Sequence, residues 1–478
     1  MSASSAAPSQ SAPPLWLIPM VIATALFMEN MDSSVIATSL PAIAGDLGED
    51  PVIMKLALTS YLLSLAVFIP VSGWCADRYG ARTVFQVAIA IFIGSSIACA
   101  SADSLMDLII ARSCQGVGGA LMVPVGRLIL LRAVPKEKMI DALAYLTIPA
   151  LLAPTIGPPI GGYITTFHDW RWIFWINVPI GIVGIILAYI YMPNVRGGRL
   201  EQLDWTGFFL AGTGLSTLIC GFTIYGRDVL PAYAAPAMMV VGGLLICSYI
   251  VHARRAANPI LDLTLLKVPT FRTSVAGGGI FRLGIGAIPF LLPLMLQIGF
   301  GLDPFQTGLI TFAGALGAVL MKFTASWILR QWGFRHVLTV NAVLCAALLA
   351  VYALFTAETP HLIIAAVLLV AGFFRSLQFT ALNAVAYADI EETSMSRATA
   401  MVAVAQQLFM SAGVAFAALV LETSQVWRGN YSLDTTDFQI AFLVVAVIMA
   451  IAAWSHWRLE PAAGANVSRH RQGTAGAA

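Results

Sequence analysis

Trp74-Cys-Ala-Asp-Arg-Tyr-Gly-Ala-Arg-Thr-Val84 and Trp327-Ile-Leu-Arg-Gln-Trp-Gly-Phe-Arg-His-Val337 are two versions of one loop. Trp74, Gly80, Arg82 and Val84 meet Trp327, Gly333, Arg335 and Val337 at a constant offset, and Tyr79 meets Trp332. Each loop follows a long apolar stretch. A parallel repeat of this kind predicts two homologous halves about an axis along the membrane normal, provided that the stretches cross a bilayer.

Composition says that they do. Of 478 residues, 59% are apolar and 10% charged, whereas a soluble domain carries about 25% charge. A span needs roughly 20 apolar residues. Fourteen such stretches lie near 15–40, 54–75, 83–102, 105–131, 140–165, 171–192, 204–225, 232–252, 271–299, 305–330, 336–356, 360–385, 398–422 and 437–457. They are too long for barrel strands and lack a period of two. The expected fold is therefore all-α and integral to the membrane. Two pseudo-symmetric six-helix bundles, 15–192 and 271–457, flank a linker, 193–270, that carries two inserted helices. Residues 1–14 and 458–478 read as disordered cytoplasmic tails.

Lys and Arg crowd one set of loops (Arg78, Arg82, Arg132, Lys136, Lys138, Arg199), while the other set holds Lys55, Arg171, Arg227 and Arg428. That bias predicts both termini in the cytoplasm of a multi-pass cell (inner) membrane protein. The six cysteines lie in apolar stretches without metal spacing and read as buried free thiols. The histidines fall near membrane edges or in the tail and pair at no metal spacing, so no metal site and no enzyme is expected. No phosphate-binding Gly-Lys occurs, which argues against a nucleotide-driven pump. A net charge of +2 gives no reason to expect nucleic acid.

Gly73-Trp-Cys-Ala-Asp77-Arg78-Tyr-Gly80-Ala-Arg82 resembles the loop 2–3 signature of the major facilitator superfamily. Arg112-Ser-Cys-Gln115-Gly116-Val-Gly118-Gly119 resembles its fourth-helix motif. Gly157-Pro158-Pro-Ile-Gly161-Gly162 is similar to the fifth-helix antiporter motif. Met31-Asp32-Ser-Ser-Val-Ile-Ala-Thr-Ser-Leu-Pro41 and Asp169-Trp170-Arg171-Trp172-Ile-Phe174-Trp-Ile-Asn177 resemble the fourteen-helix drug:proton antiporters of the EmrB/QacA type, and other segments are similar to the MdtD-like exporters. Ala153 stands where the antiporter motif often has Gly, and Arg330 where the first loop has Asp77. The resemblance implies proton-coupled export of amphipathic small molecules by alternating access. It implies no cofactor beyond the proton gradient, and a monomer to which accessory export proteins can attach.

The intramembrane charges fit that expectation. Each costs roughly 2.5–3.5 kcal/mol at mid-bilayer, on the order of 20 kcal/mol for Glu29, Asp32, Arg112, Arg127, Arg282, Lys322 and Arg375 together. They should therefore face an interior or a wet route. Asp32 and Arg112 are expected at similar depth, as a proton-coupling pair or a fixed ion pair. Glu29, one turn before Asp32, either binds a second proton or cation or stays neutral. Arg282, Lys322 and Arg375, with Gln297, Gln378 and Asn383, are candidates for the substrate cavity. They favour an alternative, a specific organic anion or metabolite as substrate, although Lys322 can snorkel. Gly73, Asp77, Arg78, Gly80, Arg82 and Arg127 form a candidate conformational latch between the halves, with Arg127 pairing with Asp77 or snorkelling. Gly157, Pro158, Gly161 and Gly162 should bend helix five or pack it closely.

Overall fold

A computed structural model describes residues 16–134, 139–196, 202–224, 231, 233–391, 394–429, 432–461 and 463–464. The expected N-terminal tail, most of the C-terminal one, and Lys136, Lys138, Arg199 and Arg227 lie outside the described residues.

Fourteen long helices account for the described chain. The first bundle contains α1 (Leu17–Leu47), α2 (Lys55–Tyr79), α3 (Ala81–Ala100), α4 (Leu105–Ala133), α5 (Met139–Phe167) and α6 (Trp172–Tyr191). Then come α7 (Trp205–Ile224) and α8 (Ala234–Ala253). The second bundle contains α9 (Pro269–Gly299), α10 (Pro304–Lys322), α11 (Ala325–Leu354), α12 (His361–Ala386), α13 (Met395–Arg428) and α14 (Thr435–Trp457). Thirteen are long and apolar enough to cross a membrane by length and composition; α5, of 29 residues, carries four prolines. Several helices outrun their apolar stretches, α1 to Leu47 and α13 to Arg428. Helical hydrogen bonding continues past the hydrocarbon edge because hydropathy marks lipid, not helix.

The repeat is visible in the coordinates. Gly80 and Gly333 both adopt positive φ, 94° and 66°, where an L side chain is strained. Before each glycine an edge-on aromatic pair forms, Trp74–Tyr79 and Trp327–Trp332. After each, an arginine reaches the last turn of the sixth helix of its own bundle. Arg82 donates to the Tyr189 and Met192 carbonyls, and Arg335 to the Trp457 carbonyl.

The helices pack in two groups, α1–α6 and α9–α14, with α7 and α8 paired outside them. The α7 helix touches both α2 and α13, so the insert lies over the seam between the groups. We call the end with the α1–α2 loop distal and the end with both described termini proximal. At the distal end one apolar core runs through both groups, from Val35, Leu40 and Ile43 to Leu291, Leu296 and Phe438. Proximally, the first bundle has its own core around Ile22, Phe85, Val125 and Ile129.

Two expectations are corrected here, for the cysteines and for the second tail. The cysteines are free, but Cys114 and Cys247 are exposed on outer faces, because in lipid an apolar thiol needs no burial. His456 is fully buried, since α14 carries it into the bundle against Gln378. The second tail does not leave at once: Leu459 is buried in the main core.

Candidate functional site

Asp32 and Arg112 form a buried ion pair, 2.5 Å from carboxylate oxygen to guanidinium nitrogen, with both residues at most 2% exposed. The pair is held by amides. Gln115 sits one turn after Arg112 on α4, accepts from it at 2.6 Å and donates to Asp32 at 2.8 Å. Asn177 of α6 donates to the same Asp32 oxygen at 3.0 Å, and Ser96 of α3 accepts from both amides. Arg112 also donates to the Ala57 carbonyl and lies 4.3 Å from the centre of the Tyr61 ring. Each partner offsets part of the desolvation that a buried pair suffers. Gln115, Asn177, Ser96 and Tyr61 were missed as site residues. The signal was there: an amide in an apolar helix seeks an interior partner.

The Asp169–Asn177 segment shows why it carries so specific a pattern. Trp170 and Arg171 both donate to Asp46 at the distal end of α1, at 3.0 and 2.8 Å, while Asn177 reaches Asp32 at mid-depth. Two anchors thus hold α6 along α1.

A cavity of about 330 Å³ lies between the bundles. On the first side it is lined by Asn30, Ser33, Ser34, Ala37 and Thr38 of α1 and by Pro154 and Pro158 of α5. Ile285, Ile288, Leu292, Thr311, Tyr352, Leu368, Arg375 and Met410 are among its walls on the second side. Asp32 faces away from it, into the first bundle.

Of the six expected cavity residues, Arg375 lines this cavity and five do not. Arg282 is fully buried within the second bundle, bound to the Ser274 carbonyl at 2.8 Å and to Asn383 at 3.3 Å. Gln378 is buried too, accepting from Asn341 and donating to the Leu338 carbonyl. Lys322 is exposed and bonds Thr380 of its own bundle. Gln297 donates to the Thr38 carbonyl, tying α9 to α1 across the seam. In each case a nearer backbone, amide or hydroxyl partner claims the side chain. Glu29 leaves one carboxylate oxygen, Oε2, buried without a hydrogen-bond partner among the described residues.

The charges of the candidate latch make their contacts within the first bundle here, and Arg127 takes the exposed course of the two expected of it. Asp77 pairs with Arg132 at the end of α4, at 2.8 Å, and not with Arg127, which is exposed. Arg78 stacks on Trp74 and Tyr79. With Arg82 bound to the end of α6, these charges all join parts of the first bundle. The reason is reach: the loop is too short for its charges to leave their own half. Gly73 has open space where a Cβ would stand, whereas at Gly80 one would strike Asn194.

The antiporter motif packs on two faces. A Cβ at Gly157 would lie 1.9 Å from the Ser34 hydroxyl, and one at Gly161 2.7 Å from the Val35 carbonyl. A Cβ at Gly162 would lie 2.2 Å from the Pro304 carbonyl of α10, and one at Gly308 2.3 Å from the Pro158 carbonyl. These glycines let α5 touch α1 on one side and the other bundle on the other.

Lys55 and Glu422, missed in the sequence, close the seam distally. Lys55 is 1% exposed and meets Glu422 of α13 at 2.6 Å. Lys55, near the end of a stretch, reads as a loop charge. Phe305 donates to Thr166 nearby. Among the described residues no group of His, Cys, Asp and Glu is arranged to hold a metal.

Known proteins of the same kind are numerous. The Klebsiella pneumoniae protein named MdtD for multidrug resistance is 34% identical over 461 residues, 95% of this chain and 97% of that protein. The Haemophilus influenzae transport protein HsrA is 34% identical over 92% of this chain and 95% of its own length. Among solved structures, a D-xylose–proton symporter matches with a TM-score of 0.65 at 13% identity, over 94% of this chain and 98% of that one. An inward-facing, unoccupied bacterial homologue of the human lysosomal transporter Spinster matches at 0.64 and 12%, over 97% and 100%. All four are named for multidrug resistance or for transport. The family description Major Facilitator Superfamily fits residues 22–266 and 274–476, and with this repeat, helix order and inter-bundle cavity the chain belongs to that superfamily.

Proposed function

We propose that the protein is a proton-driven exporter of amphipathic small molecules in the cell (inner) membrane, working by alternating access with both termini in the cytoplasm. The observation that carries the proton coupling is the Asp32–Arg112 pair, enclosed among Gln115, Asn177 and Ser96. A carboxylate paired with arginine stays charged; separated from it and still desolvated, it takes up a proton. Movement of α1 against α4 within the first bundle during alternating access can therefore load and unload Asp32. The positive-inside bias makes the distal end external. With the seam closed distally by Lys55–Glu422, Gln297–Thr38 and the α5–α10 glycines, this conformation is the one that receives substrate from the cytoplasm. No cofactor is required, and a monomer contains the whole cavity.

The test is transport into inverted vesicles with and without an imposed pH gradient. Wild type should accumulate substrate with the gradient, and Asp32→Asn should lose the gradient dependence. Equal steepness with pH in both would remove Asp32 from coupling.

The alternative reading, export of a specific organic anion or metabolite, is favoured by one observation, the presence of Arg375 in the cavity wall.

A further inference from the structure

Most of the other intramembrane charged groups have a polar partner, although Glu29 Oε2 and Arg282 Nε are buried without one among the described residues. Arg112 has Asp32, and Lys55 has Glu422. Arg282 has a carbonyl and an amide, and Lys322 has a hydroxyl. Arg375 differs. It lines the cavity, yet makes no hydrogen bond or ion pair with a described residue. Among the described residues no Asp or Glu lines the same cavity. Hydroxyls and an amide stand on the facing α1 wall at Asn30, Ser33, Ser34 and Thr38, and the rest of the lining is predominantly apolar.

We propose that this cavity selects an amphipathic monoanion, an apolar body bearing one carboxylate-type group, and that Arg375 is the anchor for that group. A guanidinium without a partner in a low-dielectric site gains most from a ligand that brings the missing charge. Its planar fork matches a carboxylate through two parallel hydrogen bonds. One cation without a second beside it fits one negative charge, so polyanions would enter with charge left unpaired. The volume, about 330 Å³, is at the small end of drug-sized pockets, roughly 300–1,000 Å³. The ligand's apolar part would lie along Ile288, Leu292 and Pro158. Cationic amphipaths, by contrast, would meet an uncompensated like charge. The inference rests on the export reading for the direction of transport, but not for the identity of the binding group.

The experiment uses the purified full-length chain in detergent, with radiolabelled phenylbutyrate as ligand. Phenylbutyramide and phenylbutyl-trimethylammonium serve as neutral and cationic counterparts. Wild type should bind the carboxylate at least about tenfold more tightly than either counterpart. Arg375→Gln should remove that preference by weakening the carboxylate at least about tenfold while leaving the amide unchanged. Arg375→Lys should retain part of the preference. Gel filtration and thermal midpoints establish that both variants are folded.

Three results would overturn the proposal: the ammonium compound binding as tightly as the carboxylate, Arg375→Gln weakening acid and amide alike, or no carboxylate binding to wild type. Gradient-driven transport of the ammonium compound would keep the export reading while ending this one. Arg375-dependent carboxylate binding without any effect of a pH gradient would do the reverse.

Discussion

Asp32 and Ser33 are neighbours on α1 but serve different surroundings. Asp32 is 2% exposed and locked into the first bundle by Arg112, Gln115 and Asn177, while Ser33 lines the inter-bundle cavity. The Asp32–Arg112 pair and the cavity therefore share a helix without sharing a volume. On the coupling proposed above, a proton at Asp32 would act on substrate by moving α1, not by displacing it.

This separation predicts a split between two variants. Ser33→Leu fills part of the cavity and should weaken substrate binding, about tenfold for roughly 1.4 kcal/mol, with the pH dependence of transport retained. Asp32→Asn should bind substrate close to wild type and lose the gradient dependence. Binding to purified protein, set against gradient-driven uptake in vesicles, reads both. Loss of binding and coupling together in each variant would show a shared site instead.

Lys55–Glu422 should hold the distal seam shut. Removing one partner of a buried pair costs about 3–5 kcal/mol, and Glu422 at 15% exposure places this pair toward the lower figure. Glu422→Ala should raise the labelling of an Ala37→Cys reporter by an impermeant maleimide applied from the distal side. The double change Lys55→Met with Glu422→Met should raise it less, because no charge is left unpaired. A rate unchanged in Glu422→Ala would show that other contacts carry closure.

The glycines at the contacts of α5 should divide into two classes. Gly162→Ala and Gly308→Ala place a methyl group against backbone of the opposite bundle. Both should disfavour distal closure and increase reporter labelling, with little loss of thermal stability. Gly161→Ala meets Val35 within the same bundle. Overpacking of that kind costs about 1–3 kcal/mol, so its thermal midpoint should fall. The midpoints and labelling rates of the three variants check the division.

Beyond the membrane span, the Arg428 guanidinium holds Asp434 below the usual carboxylate range. It donates two hydrogen bonds, at 2.6 and 2.8 Å. A lowered folded-state value means that the contribution to stability is complete above the ordinary value of 3.8 and is lost as pH falls through the lowered one. The thermal midpoint difference between wild type and Asp434→Asn should be constant at neutral pH and shrink below 3.8. A difference that grows in acid would contradict the pairing.

The seven charges placed in the membrane show how far the sequence alone could be taken. Asp32 and Arg112 were matched from depth along their helices, and they do meet. Arg282 and Arg375 were equally deep and equally cationic on paper. One is sealed against the Ser274 carbonyl, and the other faces the cavity. Lys55 reads as an ordinary loop charge and Glu422 draws no notice, because each lies near the end of an apolar stretch, on helices distant in the chain.

The sequence by itself determined the all-helical membrane fold, its two related halves and its superfamily. Hydropathy, the loop repeat and the cost of charge in hydrocarbon are all properties of residues in order. Only the tertiary structure decided which side of each helix meets lipid, bundle or cavity. Lipid tails are as apolar as a helix core, so these helices carry little amphipathic marking of their own faces. Facing is set by packing, by glycine contacts such as Gly162 with Pro304 and by buried polar partners, and those pairings join residues far apart in the chain.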